Sequence, residues 1–130
     1  MNRVTLITLG VRDLLKAKEF YNRLGFTVDH KDSDDHVVYF ETEGTRFSLY
    51  PIDDLAKDVN EERPPKVECG FSGITLAYNA DSKEAVDALY VKVGELGGRP
   101  QCEPQEVFWG GYHFYFRDLD GHYWEVAYAY

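Results

Sequence analysis

The sequence predicts an α+β protein made of two βαβββ modules in tandem, and three observations carry that prediction. Ile7-Thr8-Leu9 is echoed by Ile74-Thr75-Leu76 at an offset of 67 residues. Each echo is followed by one stretch of helical spacing and then by short β-prone runs. A chain of 130 residues holds one compact domain, and modules of half that size cannot each close a core alone.

The elements follow in order. Residues 4–11 are β-branched and loosely alternating, which reads as a strand. Asp13 stands where an N-cap belongs, and Leu14, Ala17, Phe20, Tyr21 and Leu24 recur at helical spacing up to the stop at Gly25. Strand-like runs follow at 26–30, 36–41 and 46–51, parted by the turn-rich Asp32-Ser33-Asp34-Asp35 and by Glu43-Gly44. This first module spans 1–52. Residues 53–69 read as a linker, in which Leu55, Ala56 and Val59 supply one helical turn and Pro64-Pro65 exclude regular structure. The second module spans 70–130. Asp81 or Ser82 caps a helix whose apolar face is Val86, Leu89, Val93 and Leu96, ended by Gly97-Gly98. Strand-like runs at 99–107, 112–117 and 123–128 complete it, and the turn Asp118-Leu119-Asp120-Gly121 corresponds to Glu43-Gly44. Each module presents a curled sheet with its helix on the convex side. The concave side is left for a ligand.

Composition narrows the function. Hydrophobic residues are 44% and charged residues 28%, a soluble globular balance. A formal net charge of −9 repels a phosphate backbone or an anionic membrane, so nucleic-acid and lipid-surface roles are excluded. It fits a cationic ligand weakly. Cys69 and Cys102 are isolated thiols without CxxC spacing, which indicates neither a disulfide scaffold nor a zinc knuckle. No apolar run approaches the roughly 18 residues of a membrane span. Without a leader-like N-terminus, the expected compartment is the cytoplasm. Ten Tyr and eight Phe point to an aromatic-lined cavity or interface beyond the core.

Val11-Arg12-Asp13-Leu14, Phe20-Tyr21 with Leu24-Gly25-Phe26, and above all the run from Phe116 through Arg117-Asp118-Leu119-Asp120-Gly121 to Glu125 resemble the vicinal oxygen chelate superfamily. That group holds glyoxalases, extradiol dioxygenases, bleomycin-resistance proteins and fosfomycin-modifying enzymes. The resemblance covers essentially the whole chain. It implies the glyoxalase/bleomycin resistance/dioxygenase-like fold, usually as a homodimer, but only a range of chemistries. It also implies one divalent metal held by four residues from the first and last strands of each module. Carried over by position, those four fall on Leu6, Ser48, Gly73 and Glu125. One carboxylate does not hold a transition metal, which needs about three imidazole or carboxylate ligands. The expectation is therefore no metal and no other cofactor.

Glu125 alternates with Trp124 and Val126, so it faces the concave side if they pack on the helix. It is a cavity carboxylate that meets a cationic group or acts as a general base; otherwise it is a relic satisfied by a neighbouring Tyr or by Arg46. His113 shares parity with Tyr115 and Arg117, opposite to Phe114 and Phe116, and is the best candidate for proton transfer. His30, His36 and His122 read as bland or exposed. Phe108 and Trp109 precede Gly110-Gly111 on a loop that can form a lid or stacking wall, or an interface. Tyr39, Arg46, Tyr50 and Thr75 complete an amphipathic lining. The acidic run 32–35 lacks the spacing of a calcium loop. These residues predict a small-molecule binder with an aromatic-rich cup, closest in kind to the bleomycin-resistance type. The alternative is a metal-dependent lyase, isomerase or dioxygenase with a non-standard ligand set such as Glu125 with His113.

Overall fold

A computed structural model describes residues 1–68 and 70–130, so Cys69 lies outside the described residues. The chain divides into two compact units, Met1–Gly70 and Phe71–Tyr130. Three helices and nine strands form two mixed sheets among the described residues.

The first unit runs β1 (Leu6–Val11), α1 (Leu14–Leu24), β2 (Thr27–Val28), β3 (Val38–Glu41), β4 (Arg46–Pro51) and α2 (Ile52–Val59). Its sheet order is β1-β4-β3-β2, with β1 parallel to β4 and the other pairs antiparallel. The expected cap forms, since the Asp13 carboxylate accepts the Lys16 amide at 3.1 Å. Gly25 ends α1 at φ 136°, a conformation open to glycine. Alternation then sorts the sheet into two faces. Leu9, Val11, Phe40, Phe47 and Leu49 are buried with Ala17, Phe20 and Tyr21 of α1. Phe26, Phe40 and Phe47 surround the Tyr21 ring at 5.1–6.0 Å between centroids.

Residues 52–59 form a helix of eight residues, more than the single turn expected of a linker. Asp53 and Asp54 sit in its first turn and Lys57 in its last, which suits the helix dipole. Ile52 and Leu55 pack over Gly10, where a Cβ would lie 2.2 Å from Ile52 Cδ1. A helix thus covers one end of the sheet face that α1 does not.

The second unit runs β5 (Thr75–Asn79), α3 (Lys83–Glu95), β6 (Arg99–Pro100), β7 (Gln105–Val107), β8 (Gly111–Arg117) and β9 (Tyr123–Ala129). The order β5-β9-β8-β6 repeats that of the first unit, and β7 also pairs with β8. Ser82, not Asp81, caps α3 by accepting the Ala85 amide at 3.1 Å. The expected strand over 99–107 is broken into two, because Pro100 and Pro104 cannot donate to a ladder. Phe114, Phe116, Trp124 and Val126 are buried on the α3 side with Val86 and Val93. Phe116 and Trp124 stack at 6.3 Å, and Tyr90 of α3 meets Phe114 edge-on.

The most distinctive sequence motif is explained by the β8–β9 turn. Asp118 is 1% exposed, and its Oδ1 accepts the amides of Asp120 (2.9 Å) and His122 (2.8 Å). Gly121 closes the turn at φ 90°. His122, expected in solvent, is half-buried because the turn folds its backbone onto Asp118. Asp118→Ala leaves those two amides without their acceptor and is expected to cost about 2–4 kcal/mol, read as a lower urea midpoint. An unchanged midpoint would show that the turn does not depend on the carboxylate.

Candidate functional site

The face of the second sheet opposite α3 carries His113, Tyr115 and Arg117 from β8 and Tyr123, Glu125 and Ala127 from β9. Pairing register sets Tyr115 directly across from Glu125 and His113 across from Ala127. His113 Nδ1 lies 2.7 Å from Glu125 Oε2, with the two side chains 13% and 21% exposed. A carboxylate this shielded needs partners, and Tyr115, directly across on β8, is the second group beside it. Burial first, then the negative charge of Glu125 and hydrogen bonding to it, raise the Tyr115 hydroxyl above its ordinary pKa of 10.0. Trp109 lies edge-on to His113 at 6.2 Å between ring centroids, and His113 is edge-on to Tyr115 at 5.3 Å. Gly111 makes room for the indole, since a Cβ there would fall 2.0 Å from Trp109 Cζ3.

This geometry has a chemical consequence. When Nδ1–H donates to Glu125, Nε2 is the ring nitrogen left to accept. The cluster can therefore hold a ligand donor or move a proton, with the indole as a flat wall beside it.

Four of the residues expected to line a site, Trp109, His113, Tyr115 and Glu125, are thus brought together. Thr75 begins β5 on the same face, across from Tyr123, and is exposed. Phe108 is fully exposed and does not join the cluster. Arg46 bonds Asp29 and Asp32 at 3.2 Å each and lies 4.4 Å over the Tyr39 ring. Tyr39 and Tyr50, half-buried, share that face of the first unit. Asp34 Oδ1 accepts the amides of His36 and Val37, which hold its carboxyl below the usual value. Cys102 is a free, half-buried thiol. Sequence reasoning missed Arg99, which pairs across from Arg117, because two-residue β6 has no alternation to read.

A repeated βαβββ unit, with an aromatic and carboxylate-bearing sheet face in its second copy, defines a paired-module α+β protein of the glyoxalase-like kind. The sequence matches the Glyoxalase/Bleomycin resistance protein/Dioxygenase superfamily over residues 3–126. The chain belongs to that family. A glyoxalase-related enzyme from Fulvimarina pelagi is similar at 25% identity and a TM-score of 0.86, covering 98% of this chain and 88% of that one. A family enzyme from Burkholderia phytofirmans PsJN shares the fold at 16% identity and a TM-score of 0.84, covering 98% and 99%. A lactoylglutathione lyase from Agrobacterium tumefaciens shares it at 22% and 0.70, covering 98% and 94%. None of the curated proteins matches.

The positions to which the resemblance assigns a metal do not suit one. Leu6 is a hydrocarbon, Gly73 has no side chain and precedes β5, and Ser48 is buried with its Oγ 2.9 Å from Thr8 Oγ1. Directly across from Ser48 is Thr8, and directly across from Glu125 is Ala77, so no donor stands opposite either last-strand position but the Thr8 hydroxyl that Ser48 already engages. No group of three His, Cys, Asp or Glu side chains is placed to hold a metal among the described residues. No helix among them is long and apolar enough to cross a membrane.

The raised Tyr115 hydroxyl gives a prediction. Its neutral form is favoured in the fold, so the stability it contributes is present below pH 10 and is lost as pH rises through the folded value. Tyrosine-ring NMR titration should show Tyr115 ionising above 10.0, and Glu125→Gln should move it part of the way back, because burial remains. A Tyr115 curve indifferent to Glu125→Gln would separate the two groups.

Proposed function

We propose that this chain binds a small organic molecule on the Trp109–His113–Tyr115–Glu125 face, without the family's metal centre. The observation that supports this best is the commitment of Glu125: its carboxylate is already engaged by an imidazole and a phenol. The other three assigned positions add no imidazole or carboxylate. What remains is a polar centre beside an exposed indole, the kind of lining that orients a small ligand. The chain pairs with a second copy of itself, a reading supported by Phe71, Ile74 and Tyr78, which are apolar and exposed around β5. A purely monomeric sedimentation profile would remove that part.

The competing reading is a metal-dependent lyase, isomerase or dioxygenase built on Glu125 with His113, and the 2.7 Å contact between them is what favours it. Metal analysis of the purified protein, with and without added nickel, manganese, iron and zinc, separates the two. The expected result is no stoichiometric metal, together with a fluorescence response to a panel of aromatic and charged compounds that disappears in Trp109→Phe. Trp124, stacked in the core, is the constant background. Stoichiometric metal that is lost in Glu125→Gln would overturn the proposal in favour of the enzyme.

A further inference from the structure

We infer that the site has an oxyanion-binding end formed by Arg99 and Arg117, so that its ligand is a small organic acid or phosphate ester. The inference rests on the organic-ligand reading above and names the chemical class of that ligand. Arg117 ends β8 on the face of His113 and Tyr115, and Arg99 of β6 is its directly opposed partner. Opposed residues on antiparallel strands project to the same face, and two like charges so placed destabilise the pair. In a chain with 23 acidic residues against 14 basic ones, a carboxylate partner is the ordinary remedy. Arg46 has two. Neither Arg99 nor Arg117 forms an ion pair among the described residues.

Arg117 carries a second, independent mark. Its Nε is a buried polar atom with no hydrogen-bond partner. The guanidinium lies 5.3 Å over the Tyr123 ring, so stacking holds it in place, with no countercharge. Gly121 leaves the room it occupies, because a Cβ there would fall 2.9 Å from Nη2. A planar fork held by an aromatic ring, with a second arginine at the paired position on the next strand, suits a carboxylate or phosphate. Glu125 does not supply that anion, since it is engaged by His113 and Tyr115.

Strand geometry sets the size of the ligand. Residues two apart on a strand are separated by about 7 Å, so Arg117 lies about 7 Å from Tyr115 and about 13 Å from His113 along β8. A molecule anchored by its oxyanion at the arginines lays its body across Tyr115, and its far end reaches the imidazole and the indole.

The test uses three probes of one shape: 2-naphthoate, 2-naphthyl phosphate and the neutral 2-naphthamide, titrated calorimetrically at fixed ionic strength. At least one anion is expected to bind about ten-fold or more tightly than the amide, and which of the two wins identifies a carboxylate or a phosphate ester. Arg99→Gln and Arg117→Met should each remove most of that preference, weakening the anions by a much larger factor than the amide. Equal affinity for anions and amide, or a preference that survives both substitutions, would overturn the inference while the organic-ligand reading stands. Binding of none of the three would overturn both. A second measurement does not depend on ligand: at low salt and without probe, Arg99→Gln should melt no lower than the parent. A clear fall in Tm would mean that Arg99 already has a partner within the protein, and the anion end would be ruled out.

Discussion

A carboxylate shielded on a sheet face has to be satisfied from its own surroundings, and in this protein the demand of Glu125 organises the second unit. Its partners come from β8, one directly opposite and one diagonal, so the contact exists in a single register. The other face of the same two strands imposes the same register, since Phe114, Phe116, Trp124 and Val126 must meet α3. A slip of one residue would exchange the two sets. It would place an ionised carboxylate among aromatic rings and expose the core, a cost of several kcal/mol from the charge alone. Polar and apolar faces therefore specify one arrangement, each excluding the alternative that the other would tolerate.

The two units spend the equivalent positions differently. Across β1 and β4 the matched pair is Thr8 and Ser48, two hydroxyls that satisfy each other. The same face of the first unit is occupied further by α2 over Gly10 and by Arg46, fixed between two aspartates and a tyrosine ring. Those interactions are internal to the unit and leave few groups for a ligand. Across β5 and β9 the matched pair is Ala77 and Glu125, and a methyl group gives the carboxylate nothing. Glu125 therefore turns to β8 and engages the His113 imidazole. Repetition of one backbone motif thus yields two faces with different side-chain chemistry, hydroxyls satisfied by each other in one and a carboxylate engaged by an imidazole in the other.

What the sequence made legible follows from periodicity and caps. Asp13, Gly25 and the alternation of β8 and β9 are local signals, and they placed His113, Tyr115 and Glu125 on one face. The Asp118 turn was visible as a motif, but its role as an acceptor for two amides needed coordinates. Less legible was whatever depends on register between segments far apart in the chain. The pairing of Arg46 with Asp29 and Asp32 was not foreseen, because parity fixes a face and does not fix a neighbour. Arg99 was invisible for a related reason: two residues beside a proline carry no period. The extent of α2 escaped because its stabilising contact is the absent side chain of Gly10, a tertiary fact with no helical signal of its own.

Net charge and local charge pull in opposite directions in this protein, and they act over different distances. The surplus of nine negative charges sets the field at long range, which is screened beyond about 8 Å at physiological ionic strength. That field slows an approaching anion and says little about what is held at contact. At contact the relevant charges on the second sheet face are two opposed guanidinium groups and a carboxylate engaged by its own neighbours. On the proposed reading, the opposed arginines raise the energy of this face and an anion bound there removes that cost. Binding and stability would then be coupled through the same two side chains, by an amount set by the affinity of the ligand and its concentration.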